Sequence, residues 1–86
     1  MIHVETKSGF VCDIPEERLD DMELLDNLAE VMEGNLLALS GVAKRLLGPD
    51  RKRLYDHLRT EDGRVPSEAV MDVLTEIMNA PKDGKN

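Results

Sequence analysis

The chain contains no tryptophan, one phenylalanine (Phe10) and one tyrosine (Tyr55) in 86 residues. A core with so few rings must be filled by Leu, Ile, Val and Met, and Met fits irregular gaps while tolerating rearrangement. A single cysteine, Cys12, excludes an internal disulfide and fits a reducing compartment. Long apolar runs are missing too. None approaches the roughly 20 residues that a membrane span needs, and no basic-then-apolar leader opens the chain. The expectation is a soluble protein of the cytoplasm. The chemistry of a catalyst is also missing. His3 and His57 are far apart on unlike elements, Ser40 and Ser67 have no His within local reach, and no phosphate loop occurs. No cofactor is expected. The net charge of −7 repels phosphate backbones, which argues against nucleic-acid binding by the whole surface.

What is present is charge sorted along the chain. From Asp13 to Glu33 there are nine acids (Asp13, Glu16, Glu17, Asp20, Asp21, Glu23, Asp26, Glu30, Glu33) against one base, Arg18. From Lys44 to Arg64 seven bases face four acids. Such sorting suits a binding domain that presents charged faces. A hydrophobic content of 41% is enough for one modest core, so residues 1–80 are read as a single globular domain.

The expected fold is α+β, mainly α: an N-terminal β-hairpin packed on a bundle of about four short helices. Residues 2–14 form the hairpin. A three-residue Lys7-Ser8-Gly9 turn with Gly9 left-handed sets Ile2 against Ile14, Val4 against Cys12 and Thr6 against Phe10 on one mainly apolar face. Since a lone hairpin is marginal in water, that face must lie on helices. Pro15 ends the second strand.

The helices are expected at about 20–33, 36–47, 50–60 and 66–79. Asp20 or Asp21 can cap the first. Its apolar positions (Met22, Leu24, Leu25, Leu28, Ala29, Val31, Met32) make a stripe wider than a minimal amphipathic seam, and the opposite face, with Glu23, Asp26 and Glu30, holds no base. Gly34-Asn35 breaks it, with Asn35 able to cap the second helix. That helix, with Leu36, Leu37 and Leu39 in its first turn, is apolar nearly all round, and so is either central core or partly exposed to a partner. Gly48-Pro49 stops it.

The third helix opens with Arg51, Lys52 and Arg53 at the positive end of its dipole, a locally unfavourable arrangement. The simplest compensation is pairing with the acidic face of the first helix; a docking patch for another protein comes second and nucleic acid third. In the fourth helix Val70, Val73, Leu74, Ile77 and Met78 follow the core spacing, sharing a core with Leu24, Leu28 and Leu58. Pro81 ends it, and 81–86 reads as a disordered polar tail. The candidate protein-binding residues are therefore Leu36, Leu37, Leu39, Arg51, Lys52, Arg53, Glu23, Asp26 and Glu30.

Asp62-Gly63-Arg64-Val65, between two helices, invites comparison with a calcium loop. With Gly63 at the sixth position, Leu58 falls at the first and Ala69 at the twelfth, where carboxylates are required. No calcium or other metal site is expected.

The stretches "ERLDDMELLDNLAE", "LLG" before the third helix and "HLRTEDGRVPSEAVMDVLTEI", with the opening "ETKSGF", resemble the small tail assembly chaperones of tailed bacteriophages and prophages. Together they cover about residues 5–78. The resemblance implies a non-enzymatic factor of the host cytoplasm, absent from the finished virion. It would coat the tape measure protein and help tail tube subunits polymerise around it. A ribosomal frameshift in that family commonly yields a longer form that recruits the tube protein, and the codons of Gly84-Lys85-Asn86 are a candidate slip site. Tape measure proteins are long helices with apolar stripes, so the expected partner is an amphipathic helix held in a groove. Self-association is compatible with it. The competing class is an acidic inhibitor or DNA mimic whose carboxylates imitate phosphates for a basic target. A phage-type repressor comes third, weakened by the charge balance and by the lack of a basic recognition helix.

Overall fold

The computed structural model describes residues 1–80; the tail expected at 81–86 lies outside the described residues. The domain is small and mainly helical, with one two-stranded antiparallel hairpin. Strands β1 (Ile2–Glu5) and β2 (Val11–Ile14) pair Ile2 with Ile14, His3 with Asp13, Val4 with Cys12 and Glu5 with Val11. This is the face-sorting register. The turn makes it so: Thr6 N–H donates to Phe10 O at 2.9 Å, Gly9 N–H donates to Thr6 O at 3.0 Å, and Gly9 has φ 94°. Ile2, Val4, Phe10, Cys12 and Ile14 are buried as one face. Thr6 joins them as a buried polar residue, its hydroxyl bonded to Phe10 O at 3.0 Å.

A 3-10 turn at Glu16–Arg18 leads into α1 (Met22–Met32). Asp21 caps it, its carboxylate accepting from Glu23 N–H at 3.0 Å. The other end closes on Gly34 (φ 105°): Gly34 N–H reaches Val31 O at 3.0 Å and Asn35 N–H reaches Glu30 O at 2.9 Å. Those are the two bonds of a Schellman closure. Asn35 is thereby committed to ending α1, and it does not cap the next helix. α2 starts two residues later than expected, at Ala38, without a side-chain cap, and Leu36 and Leu37 sit in the connecting turn.

α2 (Ala38–Leu47), a 3-10 turn (Gly48–Asp50) and α3 (Arg51–Leu58) follow one another with no loop between. The chain therefore runs as three helical stretches, the middle one bent at Gly48-Pro49, where about four separate helices were expected: the stop at Gly48-Pro49 bends the chain without opening a loop. Gly48 (φ 54°) is required twice over. Its backbone leaves the helix, and a Cβ there would meet the Arg18 guanidinium at 3.2 Å. Arg18 donates from Nη1 to Leu46 O at 3.2 Å, satisfying a carbonyl in the last turn of α2. α3 ends at Leu58, two residues short of expectation. Thr60 is drawn into the next turn, its N–H on Arg64 O at 2.8 Å with Gly63 at φ 92°.

α4 (Ser67–Met78) buries Val70, Val73, Leu74 and Ile77, with Met78 partly covered. They meet Leu24 and Val31 of α1, the buried face of α2 (Ala38, Leu39, Val42, Ala43, Leu46, Leu47), Leu54 of α3 and the hairpin face in one core. Leu28 and Leu58 lie at its margin.

Candidate protein-binding surface

α1 has three faces. Leu24 and Val31 point into the core with Leu28 beside them. Glu23, Asp26, Glu30 and Glu33 are exposed on a second. On the third, Met22 (68% exposed), Leu25 (45%) and Met32 (86%) stand in solvent with Ala29 between them. The turn after α1 continues this exposure with Leu36 (50%) and Leu37 (86%). The wide stripe legible in the sequence thus splits, half buried and half presented. Single exposed apolar residues are ordinary, but a run of five large ones on one helix and its following turn is a surface.

Leu36 and Leu37 also rim an open concavity of about 370 Å³, whose wall includes Leu39, Tyr55, Val65 and Val70. Leu39 itself is buried. A larger opening, about 600 Å³, lies between the hairpin turn and α4. Its lining mixes Leu58, Ala69 and Val73 with charged Lys7, Asp72 and Glu76, and Glu76 is already engaged by Lys7 N–H at 2.9 Å.

The basic triplet is not brought to α1. Arg53 lies over the Phe10 ring at 4.6 Å, donates to Val11 O at 2.9 Å and approaches Asp50 at 3.6 Å. It fastens α3 to the hairpin. Lys52 pairs along its own helix with Asp56 at 3.2 Å, and Arg51 covers Tyr55 at 5.9 Å. The expected pairing of these bases with the acidic face is therefore overturned. Its premise fails because α3 has no bare N-terminus: the 3-10 turn precedes it, Arg51 N–H bonds Gly48 O, and Asp50 supplies a local carboxylate. The base that does meet α1 is Arg45 of α2, at 2.7 Å from Glu23 and 3.6 Å from Asp21. Arg45 stands in the last turn of α2, where a cation also suits the helix dipole. Among the described residues Asp26, Glu30 and Glu33 form no ion pair; Glu30 accepts a long bond from Asn35 Nδ2 at 3.4 Å.

Titratable chemistry lies elsewhere and is unremarkable for catalysis. Burial pushes the Cys12 thiol up from its ordinary value, which keeps it protonated and poorly nucleophilic. Asp13, then Glu5, hydrogen-bond His3 at 2.8 and 3.1 Å and raise its pKa. Arg59 and then Lys52 lower Asp56; the Thr60 hydroxyl and then Arg64 lower Asp62. Among the described residues no cluster of three or more His, Cys, Asp or Glu can hold a metal, and no helix is long and apolar enough to cross a membrane.

In comparisons with protein-family models, curated proteins and solved structures, nothing matches this chain.

Proposed function

We propose that this chain is a non-enzymatic tail assembly chaperone of phage or prophage type, which binds the tape measure protein and assists assembly of the tail tube. The observation that carries the reading is the apolar surface left in water by α1 and its following turn: Met22, Leu25, Met32, Leu36 and Leu37. A chaperone for a long apolar-striped helix needs such a surface, and a small domain gains nothing from exposing it otherwise. The sequence resemblance supplies the partner. The tube protein enters through a frameshifted longer form, and the site of action is the host cytoplasm. The DNA-mimic reading is weaker, because the acids of α1 border apolar side chains that have no counterpart on a phosphate backbone.

The test is to express the chain together with the long coiled-coil-like product of its neighbouring gene. The expected result is that the partner becomes soluble and the two co-purify. Absence of such a reading frame, or a partner whose solubility and elution are unchanged by this chain, would refute the proposal.

A further inference from the structure

The exposed apolar strip of α1 and its acidic neighbour form a single unit. Met22, Leu25, Ala29 and Met32 recur at helical spacing, all exposed. Alongside run Glu23, Asp26, Glu30 and Glu33, successive carboxylates three or four residues apart. Like charges at that spacing repel and weaken their own helix. Arg45 compensates Glu23, while Asp26, Glu30 and Glu33 have no ion-pair partner among the described residues. α1 therefore breaks two local rules side by side, leaving an apolar strip wet and a carboxylate row uncompensated. One occupant removes both faults.

We infer that α1 docks a cationic amphipathic helix, antiparallel or parallel, with apolar residues on the Met22–Met32 strip and Lys or Arg along one flank only, over the Asp26–Glu33 row. Ten residue steps span about 15 Å, so the contact takes about three turns of the partner. A second copy of this chain fits poorly: α1 against an antiparallel α1 brings the two acidic rows to the same side, a parallel pairing leaves both rows without a base, and the basic triplet on α3 is already tied to Phe10, Val11, Asp56 and Tyr55. The exposed Met side chains suit a partner strip of varied shape, because Met repacks at little cost. The inference rests on the proposed function only in taking the partner to be helical.

The test uses the full chain and three synthetic peptides: one with a Leu stripe flanked by Lys, its twin flanked by Glu, and a scramble of the first. Calorimetric titration should show binding of the Lys peptide that weakens with added salt, binding of the Glu twin weaker by at least about tenfold, and none of the scramble. Asp26→Lys/Glu30→Lys should reverse the preference between the twins, and Leu25→Ser should abolish binding. All three positions are exposed, so circular dichroism should show the fold retained, with the melt raised by the Lys pair, which relieves the carboxylate repulsion, and lowered slightly by Leu25→Ser. Equal affinity for the twins, no binding by any peptide, or binding that survives Leu25→Ser yet is lost in Leu37→Ser overturns the inference. So does self-association that Leu25→Ser removes, since a second copy then covers the strip. If the peptides behave as expected and the tape measure protein does not bind, the proposed function fails alone. If it binds and Leu25→Ser leaves that binding intact, this inference fails alone.

Discussion

Replacing Gly41 with alanine sets two effects of similar size against each other. Gly41 is inside α2, where exchange for Ala gains about 0.5–1 kcal/mol of backbone entropy and propensity. Against it stands Asn27 of α1. A Cβ on Gly41 would lie 2.9 Å from Asn27 Oδ1, 3.0 Å from Cγ and 3.1 Å from Nδ2, all inside contact distance. Either the amide leaves its rotamer, at about 0.5–1.5 kcal/mol, or the helices part, at about 1–3 kcal/mol. All three near atoms belong to the end of one half-buried side chain, so the rotamer route is the cheaper. Gly41→Ala alone should then leave stability within about 1 kcal/mol of the parent. In an Asn27→Ala background the obstacle is gone, and the same change should stabilise by about 1 kcal/mol. Urea unfolding of the four chains closes the cycle, with an expected coupling of about 1 kcal/mol. Equal effects of Gly41→Ala in both backgrounds would show that Asn27 does not set the α1–α2 approach. A loss above about 3 kcal/mol in the Asn27→Ala background would place the constraint in the backbones instead.

Leu74→Ala, at a position 2% exposed, should destabilise by about 2–5 kcal/mol in the same assay, and a loss near zero would mean α4 faces the other way. Arg53→Ala should cost about 1–2 kcal/mol through the ring contact with Phe10 and the bond to Val11 O, and Arg53→Lys should recover only part. A neutral Arg53→Ala would mean that the hairpin is held by its apolar face alone. Because Asp13 and Glu5 raise the His3 pKa, the stability this cluster adds is complete below the ordinary 6.5 and is lost as pH rises through the folded value. Proton NMR should find the imidazole titrating above 6.5, with Asp13→Asn moving it back; an unshifted titration refutes the cluster. Finally, if Gly84-Lys85-Asn86 are encoded GGA-AAA-AAC or GGA-AAA-AAT, a slippery heptamer followed by an open minus-one frame is expected; a Gly codon not ending in A, or AAG for Lys85, removes that slip site.

The hairpin was legible because only one turn length sorts its side chains, and Gly9 can adopt the left-handed conformation that this turn requires. α4 was legible from periodicity and its flanking prolines. The start of α2 was not, because Asn35 had two uses and only the backbone shows that it serves α1. The partners of Arg51, Lys52 and Arg53 were hidden for a different reason: charge counting treats a helix start as bare, whereas here a 3-10 turn already occupies it. Of the candidate surface, Leu36, Leu37, Glu23, Asp26 and Glu30 were named from the sequence; Met22, Leu25 and Met32 were not. Periodicity marks a side chain as apolar and in phase, but only the packed neighbours decide whether it is covered. The excess width of the α1 stripe was the available signal.

The shortage of rings has an optical consequence. With no tryptophan present, Tyr55 is the chain's one useful fluorophore, and it lies in the wall of the concavity beside Leu36 and Leu37, under the Arg51 guanidinium. A peptide lodged in that concavity would screen the phenol from water and from dissolved quenchers. A helix lying along Met22, Leu25 and Met32 would leave its emission as it was. The protein thus carries an optical gauge for the concavity end of its apolar surface and is dark to the α1 end. Any partner lacking tyrosine and tryptophan can be assigned to one end of that surface or the other without attaching a label.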